Sequence, residues 1–358
     1  MRIVRRGVTP RFLSRQLREL PTASVDCVVT SPPYYALRDY DVQGQIGLEA
    51  NVDAWVDRLA RVFDEVARVL KPTGVLWLNV ADSYSSHPSL GAPTKGLLLA
   101  PERLLFALTS SGWLLRNRVI WAKPNPMPTS VADRLNAAHD FIYMLVRSPK
   151  YFFDLDAIRE PHRSTRRPTT PKEMSHPKWI GPLAGTRTGL DRLHQEGLPG
   201  HALGKNPGDV WSIATRSSRG AHYATFPEEL VRRPILSSCP EAVCEACGVP
   251  RKRAVSTTRI GPTAPTPDGK LLRRYPQRWI ALHQRGPLLP SCTCGAPTAP
   301  GVVLDPFFGT GTVGVVAEHF GRDWVGIELN PAYVDIAEKR IARARAPGAS
   351  GRQLRHAA

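Results

Sequence analysis

The stretch that most constrains the fold is Gly301-Val302-Val303-Leu304-Asp305-Pro306-Phe307-Phe308-Gly309-Thr310-Gly311-Thr312, near the end of a 358-residue chain. An apolar, β-branched run stops at a carboxylate, two glycines permit a tight turn, and a helical pattern over Val313–Phe320 follows. The next strand, Trp324-Val325-Gly326-Ile327-Glu328, ends in a second carboxylate. Glycines in such a turn let the backbone pass close to a ligand. A strand-end acid is placed to accept from both ribose hydroxyls, the logic of a nucleoside-binding α/β fold. The spacing is not the G-x-G-x-x-G of dinucleotide enzymes.

A second strand end lies far upstream. Val25-Asp26-Cys27-Val28-Val29 reads as a buried strand, and Thr30-Ser31-Pro32-Pro33-Tyr34 stops it. Neither proline can donate to a ladder, so the strand closes in a rigid turn bearing carbonyls, a hydroxyl and an aromatic ring. Such an end suits a planar amine donor. Ser31 taken alone is also a turn residue that caps backbone groups. Cys27 lies within the apolar run and is read as core packing.

Between these anchors strands alternate with helices. Residues 1–24 are basic and mildly helical around Arg11–Glu19. Val52, Trp55, Leu59, Val62, Phe63, Val66 and Val69 fall on one helical face, which Lys71-Pro72-Thr73-Gly74 is expected to end. Strands follow at Val75–Val80, Leu114–Trp121 and His139–Val146, with a loop over 85–96 and a helix over Pro101–Ser110. Pro227 opens a helix over Glu228–Ile235. The alternation predicts an α/β fold with a doubly wound, mostly parallel sheet covered on both faces.

Both motifs together resemble the DNA amino-methyltransferases. Ser31-Pro32-Pro33-Tyr34 is similar to their catalytic motif, and D-P-F-x-G-x-G-T followed by G-I-E-L-N-P-x-Y to their S-adenosylmethionine motif. The catalytic motif comes first and the cofactor motif last, as in the circularly permuted β group. Gln45–Glu49, Arg68–Lys71, Asp82–Tyr84, Trp121–Asn125 and His222–Pro227 match intermediate blocks. The resemblance covers nearly the whole chain except about 160–200 and 240–299.

The resemblance implies transfer of a methyl group from S-adenosylmethionine to an exocyclic amine of a flipped base in double-stranded DNA. Acceptors that bind both amine hydrogens free the nitrogen lone pair for direct in-line displacement, helped by positioning and preorganised dipoles. Ser31 Oγ and the Pro32 carbonyl take that role, with Pro33 in the turn and Tyr34 stacked on the base. Asp305, Phe307, Gly309, Gly311 and Thr312 surround the methionine end of the cofactor. Glu328 binds the ribose, Asn330 sits near the adenine, and Thr225 and Phe226 complete the pocket. For Phe307 and Phe226, core packing is the competing role. Ser at the first motif position favours cytosine N4, with adenine N6 the alternative. A catalytically dead DNA-binding protein and an RNA or protein amino-methyltransferase fit the two intact motifs and their order less well.

The net charge of +17 requires a polyanionic partner or serves solubility alone. No apolar run is long enough to span a bilayer, and the basic N-terminus lacks the apolar core of a signal peptide, so a cytoplasmic protein is expected. A cognate restriction endonuclease is the further partner such an enzyme implies. Five of the six cysteines fall in 239–299. Cys244-x2-Cys247-Gly and Cys292-x-Cys294-Gly form two knuckles able to close a tetrahedral structural Zn2+ site, with Cys239 as a substitute ligand and four free thiols as the alternative. Arg251-Lys252-Arg253 and Arg273-Arg274 between them suit DNA backbone or a solvated face. The expected organisation is a catalytic half over 1–158, a target-recognition segment over 159–205, a return to the methyltransferase domain over 206–238, a zinc-ribbon-like insert over 239–299, a cofactor half over 300–345 and a flexible tail over 346–358.

Overall fold

The computed structural model of the protein describes residues 2–6, 12–161, 201, 203–215, 226–260 and 280–346. Most of the expected recognition segment, Thr225, Arg273, Arg274 and the tail after Ala346 lie outside the described residues. In chain order the strands are β1 (Arg2–Arg6), β2 (Val25–Thr30), β3 (Leu70–Val80), β4 (Leu114–Ala122), β5 (His139–Val146), β6 (Val210–Ser212), β7 (Val243–Cys244), β8 (Lys252–Ile260), β9 (Ile280–Leu289), β10 (Thr298–Ala299), β11 (Val302–Asp305) and β12 (Asp323–Glu328). The helices are α1 (Phe12–Arg18), α2 (Val52–Val69), α3 (Ala100–Ser110), α4 (Glu228–Ser238), α5 (Thr312–His319) and α6 (Pro331–Arg345).

The chain divides into two compact units, one of residues 1–154, 208–250 and 294–358, the other of 155–207 and 251–293. In the first unit an eight-stranded sheet runs β1-β12-β11-β2-β3-β5-β4-β6. Neighbours are parallel except around β5, which is antiparallel to both β3 and β4. The break in the parallel pattern has a simple cause. A loop without a helix joins β4 to β5, so the chain turns back beside itself instead of crossing over. In the second unit β8 and β9 pair as an antiparallel ribbon, with register shifting between Arg253 and Val255, and Glu160 bridges Lys205.

α2 follows its periodicity. Asn51 caps it by accepting from the Ala54 amide at 2.9 Å, and Val52, Trp55, Leu59, Phe63, Val66 and Val69 are buried. It ends at Val69, and β3 begins at Leu70, so Lys71–Gly74 belong to the strand rather than to a helix stop. Pairing with β2 jumps from Val25↔Leu70 to Cys27↔Val75, and Pro72 is accommodated in that bulge because it has no amide to offer the ladder. Buried Asp26 in β2 is compensated by Lys71 Nζ at 2.7 Å and by the Val302 amide at 2.9 Å.

Two apolar layers sandwich the sheet. α1, α2 and α3 pack on one face around Trp55, Leu59, Phe63 and Leu104, while α4, α5 and α6 pack on the other around Ile235, Val316 and Ile341. After β2 the chain crosses by α2 to β3; after β11 it crosses by α5, on the opposite face, to β12. The neighbours β2 and β11 therefore send their crossovers apart. The crevice beyond their carboxyl ends is the topological switch point, where open α/β sheets bind ligands.

Candidate active site

Thr30 Oγ1 and Asp305 Oδ1 meet at 2.7 Å at that switch point, joining the two motifs. The turn after Thr30 is fixed from behind. Pro32 is buried, the Pro33 carbonyl accepts from Trp55 Nε1 at 3.0 Å, and the Tyr35 carbonyl accepts from Ser83 Oγ at 2.9 Å. Ser31 Oγ donates to Tyr34 Oη at 3.1 Å, and Tyr34 Oη donates to Asn79 Oδ1 at 3.0 Å. Asn79 is buried near the end of β3 and donates its own amide to the Phe141 carbonyl at 3.0 Å, so its orientation is set by β5. Burial, reinforced by the Asp140 carboxylate, raises the Tyr34 phenol, which stays a neutral donor.

Asn79 is the residue the motifs did not reveal. Its signal was present as a single amide in the otherwise apolar run Val75–Val80. Asp140 was missed too. It sits buried opposite Trp121 in the β4–β5 register and pairs with Lys123 Nζ at 2.7 Å.

On the other side of the crevice, Asp305 Oδ1 accepts from Thr30 Oγ1 and from the Phe307 amide at 3.0 Å. Burial pushes its carboxyl up to about 7, with the Glu328 charge adding and the two hydrogen bonds opposing. Glu328 Oε2 accepts from the Gly309 amide at 2.6 Å and Oε1 from the Asn330 amide at 2.8 Å, so the strand-end acid also clamps the glycine turn. The Leu329 amide hydrogen-bonds to this carboxylate as well, so three backbone donors hold it. Burial raises Glu328 as well.

The glycine turn needs its glycines. Gly309 and Gly311 have φ of +51° and +79°, and a Cβ on Gly311 would stand 2.7 Å from that of Ala337. Thr312 opens α5, and its Oγ1 accepts from Arg340 Nη1 at 3.2 Å, alongside the Thr310 carbonyl and hydroxyl. Asn330 caps α6 through the Ala332 amide at 3.0 Å. Phe307 is half-buried against the first apolar layer and Phe226 against the second, whereas Phe308 is the true packing residue, stacked on Trp324 at 5.3 Å. The loop after the Pro-Pro turn reaches α6, where Tyr40 meets Tyr333 edge-on at 6.3 Å.

Asp305 and Glu328 are two desolvated carboxylates without an ion-pair partner among the described residues. A nucleoside ligand bearing hydroxyls and positive charge satisfies both, and S-adenosylmethionine carries ribose hydroxyls, an ammonium and a sulfonium. The residues present thus fit that group.

The Cys244, Cys247, Cys292 and Cys294 sulfurs all lie within 4.8 Å of one another. Tetrahedral zinc–thiolate bonds of about 2.3 Å set sulfurs roughly 3.8 Å apart, so a small contraction closes the quartet on one ion. Gly248 and Gly295, each following a cysteine, adopt φ of +70° and +65°, and the Gly248 amide donates to the Cys244 carbonyl at 2.8 Å. Cys239 is not part of this quartet. It is a core residue at the end of α4, and burial pushes its thiol up; Cys27 is likewise fully buried with a raised thiol. No helix among the described residues is long and apolar enough to cross a membrane.

A family model described as DNA methylase, of the N6/N4 methyltransferase type, matches residues 25–243 and 297–339. Type II methyltransferase M.Cfr9I of Citrobacter freundii is 35% identical over 347 residues, 91% of this chain and 84% of that protein. Type II methyltransferase M.SmaI of Serratia marcescens is 33% identical over 341 residues, 89% and 85% of the two chains. Among solved structures, the cytosine-N4-specific PvuII DNA methyltransferase shares the fold at a TM-score of 0.53, with 17% identity over 94% of this chain and 85% of that one. TTHA0409 of Thermus thermophilus, complexed with S-adenosyl-L-methionine, does so at 0.50, with 22% identity over 97% of each chain.

Proposed function

We propose that this chain, which belongs to the N6/N4 family of DNA methylases and takes its methyl group from S-adenosylmethionine, acts on the N4 amine of a cytosine flipped out of duplex DNA. One observation carries the reading. Ser31 Oγ gives its hydrogen to Tyr34, which gives its own to Asn79, so the Ser31 lone pairs are left to accept from an amine. Family members with Ser at this position are mostly cytosine-N4 enzymes, which favours cytosine over adenine.

When bound, S-adenosylmethionine supplies a methyl group activated on a sulfonium sulfur. The chain's own residues bind and orient. Asp305, Phe307, the Gly309–Gly311 turn and Glu328 hold the donor, with Thr312, Asn330 and Phe226 behind them. Ser31 and the Pro32 carbonyl hold the amine hydrogens and draw the nitrogen toward tetrahedral geometry. Tyr34, half-buried, offers a ring to the base while its hydroxyl orients Ser31. In this reading the cysteine quartet holds one structural zinc, the protein works in the cytoplasm, and a restriction endonuclease of the same specificity accompanies it.

The test is transfer of labelled methyl groups to unmethylated duplex DNA by the wild type and by Ser31→Ala. Label on cytosine, lost in the variant, supports the reading; label on adenine overturns the base assignment and leaves the family intact.

A further inference from the structure

We propose that Met127 and Leu135, on the loop joining β4 to β5, enter the base stack when the target nucleotide is extruded and occupy the position it leaves. The inference rests on the duplex-DNA reading above.

The starting observation is two large apolar side chains that the protein leaves in water. Met127 is 85% and Leu135 90% exposed. The two limbs of the loop meet where Asn136, next to Leu135 in sequence, donates its Nδ2 to the Met127 carbonyl at 3.1 Å. Single exposed apolar residues need no explanation, but two nearly fully exposed ones on the same firmly held loop are different.

The loop is well anchored at both ends. Asn125 makes hydrogen bonds of 3.1, 2.8 and 3.3 Å with Thr215. Prolines 124, 126 and 128 bracket Met127 and fix the backbone on either side. Further along, Arg134 lies 3.7 Å over the Tyr84 ring and Asp133 pairs with Lys95 Nζ at 2.7 Å, which ties this loop to the one after β3.

Its place in the sheet is the second observation. β4 and β3 both run antiparallel to β5, so Ala122 and Val80 end at the same sheet edge as Thr30. The apolar tip therefore rises from the edge that bears Ser31, two strands away. A duplex whose base reaches Ser31 has a gap in its stack, and unstacked neighbours favour an apolar wedge. Lys95 and Lys123 are engaged by Asp133 and Asp140, so Arg134 over Tyr84 is the rim cation that suits a phosphate beside that gap. The shared edge with Ser31 and the chain's net charge of +17, which favours a polyanion and opposes a second copy, make duplex DNA the occupant.

The experiment uses the full-length enzyme and synthetic duplexes carrying its mapped target. Met127→Ala/Leu135→Ala is compared with wild type on a matched duplex and on one whose target base faces an abasic site. The expected result is a loss of roughly tenfold or more in kcat/KM on the matched duplex, where extrusion is costly. The loss shrinks to within about threefold on the abasic duplex, where the base is already unpaired. Affinity for S-adenosylmethionine and the melting temperature stay unchanged, and Met127→Leu keeps wild-type rates. Equal rates on the matched duplex overturn the proposal, as do equal losses on both duplexes, which mark a plain docking role. A dimer that dissociates in the double variant, seen by sedimentation, overturns it in favour of a self-association surface. If wild type methylates neither duplex, the duplex-DNA reading itself fails.

Discussion

Thr30 Oγ1 donates to Asp305 Oδ1 at 2.7 Å across 275 residues of sequence. The bond ties the strand end that carries Ser31-Pro32-Pro33-Tyr34 to the one that carries the glycine turn after Asp305. In a chain whose motif order is permuted, these two halves meet only because β2 and β11 are sheet neighbours.

The bond sits on a carboxyl whose ionisation is poised near neutrality, which gives a pH signature. Asp305 is raised from 3.8 to about 7 in the folded protein. The free folded chain therefore holds a proton that the unfolded chain lacks between about pH 4 and 7. The Asp305 contribution to stability falls as pH rises through that window. Cofactor affinity moves the other way, because a cationic ligand favours the ionised carboxylate. Calorimetric titration should show S-adenosylmethionine binding strengthening from pH 6 to 8, with a flattened and weaker profile in Asp305→Asn. A flat wild-type profile would contradict the assignment.

Asn79 is expected to act through Ser31 and Tyr34 rather than on the cofactor. Asn79→Ala removes the acceptor that orients both hydroxyls. It should lower kcat about tenfold, the order of one or two hydrogen bonds in a preorganised site, with S-adenosylmethionine affinity unchanged. Unchanged kcat, or a change confined to cofactor binding, would refute this positioning role.

The two glycines of the turn after β11 should respond differently to alanine. At Gly309 the nearest neighbour of a new Cβ is the Phe307 carbonyl at 4.0 Å, so only the left-handed backbone is penalised, by about 1–2 kcal/mol. At Gly311 the same penalty is joined by a 2.7 Å clash with Ala337 Cβ, for a total of about 2–4 kcal/mol. Denaturant unfolding of both variants measures the difference, and equal losses would count against the packing argument.

Purified protein is expected to carry about one zinc per chain. Cys244→Ser should lose the metal while leaving the S-adenosylmethionine site intact. Metal analysis that finds none, after purification without chelator, would leave the quartet as free thiols.

The parts of the fold that were legible share a cause. α2, β5 and the Asp305–Glu328 unit bury one complete face, and burial writes its period into the sequence. β1 was not legible, because among the described residues Arg2-Ile3-Val4-Arg5-Arg6 sits at the sheet edge beside β12, and its charge masks its strand character. α6 was passed over as part of a motif, although Asn330, Pro331 and the spacing of Val334, Ala337 and Ile341 mark a capped helix. At the candidate site, Ser31, Asp305 and Glu328 stand out through their motifs. Asn79 and Asp140 do not, because their roles depend on register between strands, which no local pattern records. The dual use of Glu328 and Asn330, as turn clamp and helix cap, was hidden for the same reason.

The most direct test of the central claim is to express the chain in a host free of DNA methylation and to identify the modified nucleoside. The DNA is digested for mass spectrometry and also read by long-read sequencing, with Ser31→Ala as control. N4-methylcytosine confined to one short sequence motif and absent from the control is the expected result. N6-methyladenine in place of N4-methylcytosine would contradict it, as would modification that persists in Ser31→Ala.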